Sequence, residues 1–249
     1  NFVCLSVTDE DPTRADETKL ASWYYSSKGG FYWAGAYVCD GFALVTTDDG
    51  EPGYLTGYSR ILSFDPQSGT LLDALTLPHT GDARSTVAFV PAQGGGGTAY
   101  FTTKGGYFYG VAVGADGTFG ALRAVALSNG GENAKKPAMS TCTPTIYNGR
   151  AYVGVSGTSQ FGAYSGHNIT VIDLASMSVA YSVPTQGYPQ TSGILTTAYD
   201  KGDGAVYVYF FDNYTPGKLR MLCDRPGQTA PLLTTQETAL VDGRTQSFD

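Results

Sequence analysis

The chain repeats one pattern four times, and the pattern is clearest between Ser140 and Pro184. Four runs rich in Val, Ile, Thr or Tyr have the composition of β-strands: Thr143–Tyr147, Arg150–Val155, Asn168–Leu174 and Val179–Val183. Asn148-Gly149 separates the first two and reads as a hairpin turn, because both residue types accept positive φ. A long polar loop, Ser156–His167, separates the second run from the third, and the short Ala175–Ser178 connection joins the third to the fourth. Antiparallel strands with short, long and short connections describe one blade of a β-propeller.

The same arrangement recurs over residues 33–78, 85–127 and 191–234, flanking the 140–184 repeat. The third-strand, turn and fourth-strand segments align as ILSFDPQSGTLLDALTL, FYGVAVGADGTFGALRAVAL, ITVIDLASMSVAYSV and KLRMLCDRPGQTAPLL. Their period is about fifty residues, as in the longer kinds of propeller repeat. The predicted fold class is therefore all-β: a β-propeller of four-stranded antiparallel blades, four of them full, plus a composite or partial closing blade. Strands at 21–26 and 238–249 are the candidate closing elements, since joining the first strand to the last blade seals edges that otherwise aggregate. Two solutions stay open, four blades with a composite fifth or a fragment of a longer ring. Residues 1–20 concentrate Asp9, Glu10, Asp11, Asp16 and Glu17. They read as an acidic lead-in segment or linker ahead of a 21–249 propeller domain.

Composition narrows the function classes. A length of 249 residues suits one large β domain, and 33 glycines with 18 tyrosines suit many turns. The formal charge of −7 and the scarcity of clustered Lys and Arg argue against a nucleic-acid partner. No apolar run approaches the roughly 20 residues that span a bilayer as a helix. Low Lys content with abundant Thr, Ser, Gly and Tyr leans towards an exported, extracellular or cell-surface protein. Cys4, Cys39, Cys142 and Cys223 permit three complete pairings, and free thiols behaving as small hydrophobes are the simpler expectation. With no CxxC and two histidines, no metal site is expected.

Loop length says where function belongs. First-to-second and third-to-fourth connections are short turns on one face. Second-to-third and blade-to-blade connections form the other face, and they are longer: Thr46–Ser59, Ser156–Asn168 and Phe211–Gly217 within blades, with HTGDARS, SNGGENAKKPAMS and TQGYPQTS between them. Long loops on a rigid scaffold are where binding sites sit, and Tyr with Gly and Ser is a good contact vocabulary. Candidate contacts on this face are Tyr54, Tyr164, Tyr188 and Asn213. The innermost strands also begin with hydroxyl or amide residues, giving Ser85, Thr141, Gln190 and Ser192, with Arg84 as the charged member of a polar channel mouth. The competing reading is that these hydroxyls cap strand starts and hydrate the channel.

Catalytic signatures are absent. No GxSxG elbow accompanies a histidine, His79 and His167 read as solvated loop residues, and the acidic DDGEPG turn lacks calcium-loop spacing. Paired carboxylates are a spatial arrangement that the chain order does not reveal.

The unit ILSFDPQSGTLLDALTL resembles the strand–Asp–x–x–(Ser/Thr)–Gly–strand repeat of quinoprotein-like propellers, the pyrroloquinoline-quinone repeat family. The segments Thr102–Tyr107, Gly149–Gly154, Tyr188–Gly193 and Asn213–Lys218 are similar to those of propeller domains from secreted or surface-anchored bacterial proteins, some joined to transcobalamin-like domains. The resemblance covers about Trp23 to Thr229. It implies the fold. Quinoprotein dehydrogenases typically hold their cofactor with repeated tryptophans and, in many, an adjacent-cysteine disulfide beside calcium. This chain has only Trp23 and Trp33 and no adjacent cysteines, so no cofactor is carried over. The expected function is a non-catalytic binding or display module of an exported bacterial surface protein, whose partner is a macromolecule, glycan or small ligand on the loop-rich face. The alternative is an enzyme on the same scaffold, a divergent quinoprotein-type oxidoreductase or a carbohydrate-active one.

Overall fold

The computed structural model describes residues 1–13, 19–39, 41–53, 55–127, 138–157, 166–214, 217–235 and 247–248. Among the described residues there are nineteen strands and no helix. A hairpin comes first, β1 (Phe2–Glu10) with β2 (Lys19–Tyr25). Four antiparallel sheets follow in chain order. Blade one holds β3 (Tyr37–Val38), β4 (Ala43–Thr46), β5 (Arg60–Phe64) and β6 (Leu71–Thr76). Blade two holds β7 (Ala88–Pro91), β8 (Gly97–Thr102), β9 (Tyr107–Val113) and β10 (Phe119–Ala126). Blade three holds β11 (Thr145–Tyr147), β12 (Arg150–Val155), β13 (Asn168–Asp173) and β14 (Ser178–Pro184). Blade four holds β15 (Ile194–Thr196), β16 (Val206–Asp212), β17 (Gly217–Asp224) and β18 (Leu233–Thr235), and β19 (Ser247–Phe248) also pairs with β17. This is a β-propeller of four-stranded blades.

Blade three shows how local sequence sets register. Tyr147 faces Arg150 across a two-residue turn, with Asn148 at φ 46° and Gly149 at φ 76°. Both values are left-handed, the geometry that matches the twist of a hairpin.

The third-to-fourth turns use an aspartate differently from blade to blade. In blade one, Asp65 Oδ1 accepts the backbone N–H groups of Gln67 and Ser68 and the Ser68 hydroxyl, at 2.9, 2.7 and 3.0 Å. Asp173 accepts the Ser176 N–H and hydroxyl in the same way, both at 2.8 Å. These donors, the serine N–H foremost, hold both carboxyls below the usual carboxylate range. Asp224 occupies the matching position in blade four, but its turn has Gly227 where the others have serine, and its carboxylate points inward.

The chain divides into two compact units, residues 1–99 with 111–121 and residues 100–110 with 122–249. In the first, Ala43, Val45, Leu62 and Phe64 form a core, with Phe2, Tyr25, Phe31, Ala34 and Ala36 packed against it. Phe64 meets the rings of Phe2 at 5.5 Å, Trp23 at 6.0 Å and Tyr25 at 4.9 Å. The first residues are therefore not a linker: Phe2–Glu10 is a strand whose Phe2 seats on blade one. The Asp/Glu cluster follows a period-two run, FVCLSV, which has the alternation of a strand. Both candidate closing stretches contribute a strand. Lys19–Tyr25 pairs with β1, and Ser247–Phe248 pairs with Gly217 and Lys218. Residues 238–246 lie outside the described residues.

In the second unit, every residue of β12 is buried. Ala151, Val153 and Val155 join Tyr100, Phe108, Val125, Leu127, Ala138 and Ile172 on one side. Tyr152 joins Ile169, Val171, Tyr181, Val206, Val208, Phe210 and Leu222 on the other. A central strand buried on both faces needs the continuous apolar run seen here, and each large side chain so buried contributes about 1.5–3 kcal/mol.

The ends of the second strands form ties to the next blade. Thr46 Oγ1 donates to the carbonyls of Ala83 and Ser85, at 2.9 and 3.1 Å. Thr102 Oγ1 donates to the Cys142 carbonyl at 2.9 Å. The aligned position in blade three is Gly154, where an added Cβ would lie 1.6 Å from the Pro189 carbonyl oxygen. There the connection passes too close for any side chain.

Candidate functional site

Two polar clusters, one in each unit, gather several of the residues singled out in the sequence. The first surrounds Arg84. Its Nε and Nη2 donate to the Asp48 carboxylate at 3.0 and 2.8 Å, a bidentate pair, and Nη2 also meets Asp82 Oδ2 at 2.6 Å. Asp82 is buried, and its Oδ1 accepts the Asp49 N–H at 2.9 Å. Asp49 in turn accepts the N–H groups of Glu51 and Gly57, at 2.8 and 3.0 Å. The Arg84 guanidinium stands 4.5 Å from the Tyr32 ring centroid and 5.6 Å from that of Trp33. Ser85 is buried, and its carbonyl is held by Thr46.

The second cluster surrounds Tyr188. Its hydroxyl lies 2.7 Å from the Thr141 N–H, which it accepts, and 3.1 Å from the Thr141 hydroxyl. Gln190 Nε2 reaches Thr141 Oγ1 at 3.5 Å. Burial pushes the Tyr188 phenol up to about 12 and the neighbouring Cys142 thiol up to about 11. His167 stacks on Tyr188, ring centroids 6.3 Å apart, and its Nδ1 accepts the Gly157 N–H at 2.9 Å. Burial holds its pKa below the usual histidine value, which fits an unprotonated Nδ1. His167 is thus a buried structural residue and not the solvated loop residue expected. Asp212 pairs with Arg220, both buried. Asn213 is exposed, and its N–H bonds the Tyr188 carbonyl at 3.1 Å.

The structure therefore joins Thr141, Tyr188, Gln190 and, through its backbone, Asn213. Arg84 and Ser85 belong to the other cluster. Ser192 is exposed, and no hydrogen bond ties it to Tyr188 among the described residues. Tyr54 and Tyr164 lie outside the described residues. The residues expected at a channel mouth precede the innermost strands; Ser85 and Thr141 are buried and Ser192 is exposed, and hydroxyls beside them bond within the protein. Thr86 Oγ1 accepts the Gly35 N–H at 2.9 Å, and Ser140 Oγ donates to the Gly154 carbonyl at 2.8 Å. The reason is geometric: the connection between blades crosses the end of a second strand, whose last backbone groups need partners.

Sequence reasoning missed a third cluster. Asp224 accepts Arg150 Nη1 at 3.0 and 3.2 Å, the Tyr152 hydroxyl at 2.8 Å and the Tyr181 hydroxyl at 2.6 Å. Arg150 Nη2 donates to the Gln228 carbonyl at 2.6 Å. Burial, with the Asp224 charge beside them, raises both phenols. The available signal was the loss of the D-x-x-S turn pattern in blade four. An open groove of about 550 Å³ lies in the same unit, lined by Ala198, Tyr199, Asp200, Lys201, Tyr207, Tyr209 and Met221. All four cysteines are unpaired, Cys142 and Cys223 being buried and Cys4 and Cys39 half-buried. No group of three metal-ligating side chains occurs among the described residues.

No family model and no curated protein matches the chain. Solved structures do. A quinohemoprotein alcohol dehydrogenase from Pseudomonas putida matches with a TM-score of 0.51 and 15% identity, covering 90% of this chain and 39% of its own. A europium-containing methanol dehydrogenase matches with a TM-score of 0.51 and 13% identity, covering 90% of this chain and 48% of its own. The chain spans less than half the length of these two proteins. Their likeness shows a β-propeller fold.

Proposed function

We propose that this chain is a non-catalytic binding or display module of an exported bacterial surface protein. One observation carries the reading: the strongly ionic side chains gathered in these clusters are committed to internal partners. Arg84 is held by Asp48 and Asp82, Arg150 by Asp224 and Arg220 by Asp212. Catalysis needs an acid, base or nucleophile directed at a space a substrate can reach. Binding needs only a rigid scaffold with exposed aromatic and polar contacts, and tyrosines at 24, 32, 58, 147, 199 and 214 are exposed. The fold alone does not decide between these uses, since one propeller scaffold supports many functions.

The test is a panel. The purified chain is immobilised and titrated with neutral and charged oligosaccharides and with extracellular matrix proteins, and an alcohol-oxidation assay with added pyrroloquinoline quinone and calcium runs beside it. Saturable binding without turnover is expected. Dye reduction that depends on both alcohol and chain contradicts the reading. Antibody labelling of intact source cells tests the surface location, and labelling only after lysis contradicts it.

A further inference from the structure

Blade four has two apolar faces, and among the described residues a neighbouring sheet covers one of them. Side chains alternate across a strand, and residues directly opposite on an antiparallel neighbour share a face. Val206, Val208, Phe210 and Leu222 form the covered face, packed with Tyr152, Ile169, Val171 and Tyr181 of blade three. Tyr207, Tyr209 and Phe211 form the other, opposite Cys223, Met221 and Leu219, with Ile194 beside Tyr209. This second face is also aromatic and aliphatic, yet Ile194 is 73% and Phe211 42% exposed. The groove lined by Tyr199, Tyr207, Tyr209 and Met221 lies on it. A face built to the pattern of one that a sheet covers is itself suited to a sheet.

The chain carries such a sheet in its first hairpin. Phe2, Trp23 and Tyr25 turn towards Phe64 of blade one. Val3, Leu5 and Val7 alternate with the half-buried Phe2, Cys4 and Ser6, and Tyr24 lies opposite Val3. Leu5 is 53%, Tyr24 68% and Val7 89% exposed, so the hairpin too has one face on a blade and an apolar face in water. Leaving either face in water forgoes the gain of burying it. Where an apolar surface fits a different surface of the same molecule, copies join head to tail. We infer that a second copy of this chain covers the free face of blade four with its β1–β2 hairpin. The contact repeats the sheet-on-sheet packing that the structure shows between the hairpin and blade one, and between blades three and four.

The test is the mass of the purified chain in solution, by light scattering, with two surface variants. Leu5→Lys with Val7→Lys charges the hairpin face, and Ile194→Lys with Phe211→Lys charges the blade-four face. All four positions are exposed, so both variants should melt with the parent. Tyr24→Lys and Ile194→Lys, each alone, replace a double variant that melts early. At about 100 μM, where even an interface of micromolar Kd is filled, the parent is expected at twice the chain mass or more. Each variant alone should be a monomer there, since every contact needs one intact face of each kind. An equimolar mixture should recover a heterodimer, because the hairpin variant still offers blade four and the blade-four variant still offers the hairpin. A monomeric parent overturns the inference. So does a folded variant that still associates alone, and so does a mixture that stays monomeric, which would mean that like faces pair.

Discussion

Asp224 receives Arg150 at 3.0 Å in a place where blades one and three close a turn with an aspartate. The carboxylate is fully buried, and the Tyr152 and Tyr181 hydroxyls supply further donors. Removing the carboxylate alone strands a buried guanidinium, which costs about 3–5 kcal/mol. Asp224→Ala should therefore lower unfolding stability by that amount in urea titrations. Arg150→Met combined with Asp224→Ala should recover much of the loss. A double variant no more stable than Asp224→Ala would mean that the tyrosine bonds, and not the ion pair, set the cost.

Gly154 and Thr102 make opposite predictions at aligned positions. Gly154→Ala places a methyl group on the Pro189 carbonyl and should destabilise by about 3 kcal/mol or more, with the 187–190 connection displaced. Thr102→Ala loses one hydrogen bond to Cys142, an effect of about 1 kcal/mol. Equal losses at the two sites, read from denaturation midpoints at constant slope, would contradict the close approach.

Acid should weaken the fold in two stages. His167 has a folded pKa below its unfolded value of about 6.5, so its contribution is present above that pH and is lost as pH falls through the folded value. Asp65, Asp116 and Asp173 are also lowered, each with hydrogen-bond donors from its own turn as the leading cause. Their contribution is present above an unfolded value of about 3.9 and disappears below it. Melting temperature should first slope downward below about pH 6.5 and then fall again below about pH 4. His167→Gln, whose side-chain oxygen can accept the Gly157 N–H, should remove the first slope and leave the second. A first slope that survives in His167→Gln would assign it elsewhere.

The thiols should separate by burial. With the Cys142 thiol pushed up to about 11 and Cys223 also raised by burial, neither is a ready nucleophile at pH 8. Iodoacetamide followed by peptide mapping should label Cys4 and Cys39 first, with Cys142 and Cys223 reacting only on unfolding. Early modification of Cys142 would contradict the packing around Tyr188.

Blade three was legible almost residue by residue, because Asn148-Gly149 and the Val/Ile/Tyr runs are local signals. Expected strands at 150–155 and 168–174 match β12 and β13 within a residue. Phe2–Glu10 carries a local period-two signal, but its pairing partner at 19–25 and its packing partner Phe64 are not marked in chain order. The site is less legible in the sequence. Arg84 stands in the chain as a lone charge beside hydroxyls, but Asp48 lies 36 positions earlier and the rings at 32 and 33 earlier still. Nothing in chain order marks that meeting. Arg150 and Asp224, 74 positions apart, are joined for the same reason. Sequence period reports which residues are buried, and long-range pairing decides which charges meet.

The central claim, that this propeller binds and does not convert its ligand, is tested most directly by the fate of the ligand. The tightest-binding member of the panel is incubated with the chain, released by denaturation and identified by mass spectrometry over a time course. Recovery of the unchanged molecule at a fixed ratio to the chain is the predicted result. A product that accumulates with time and in proportion to the chain would contradict it.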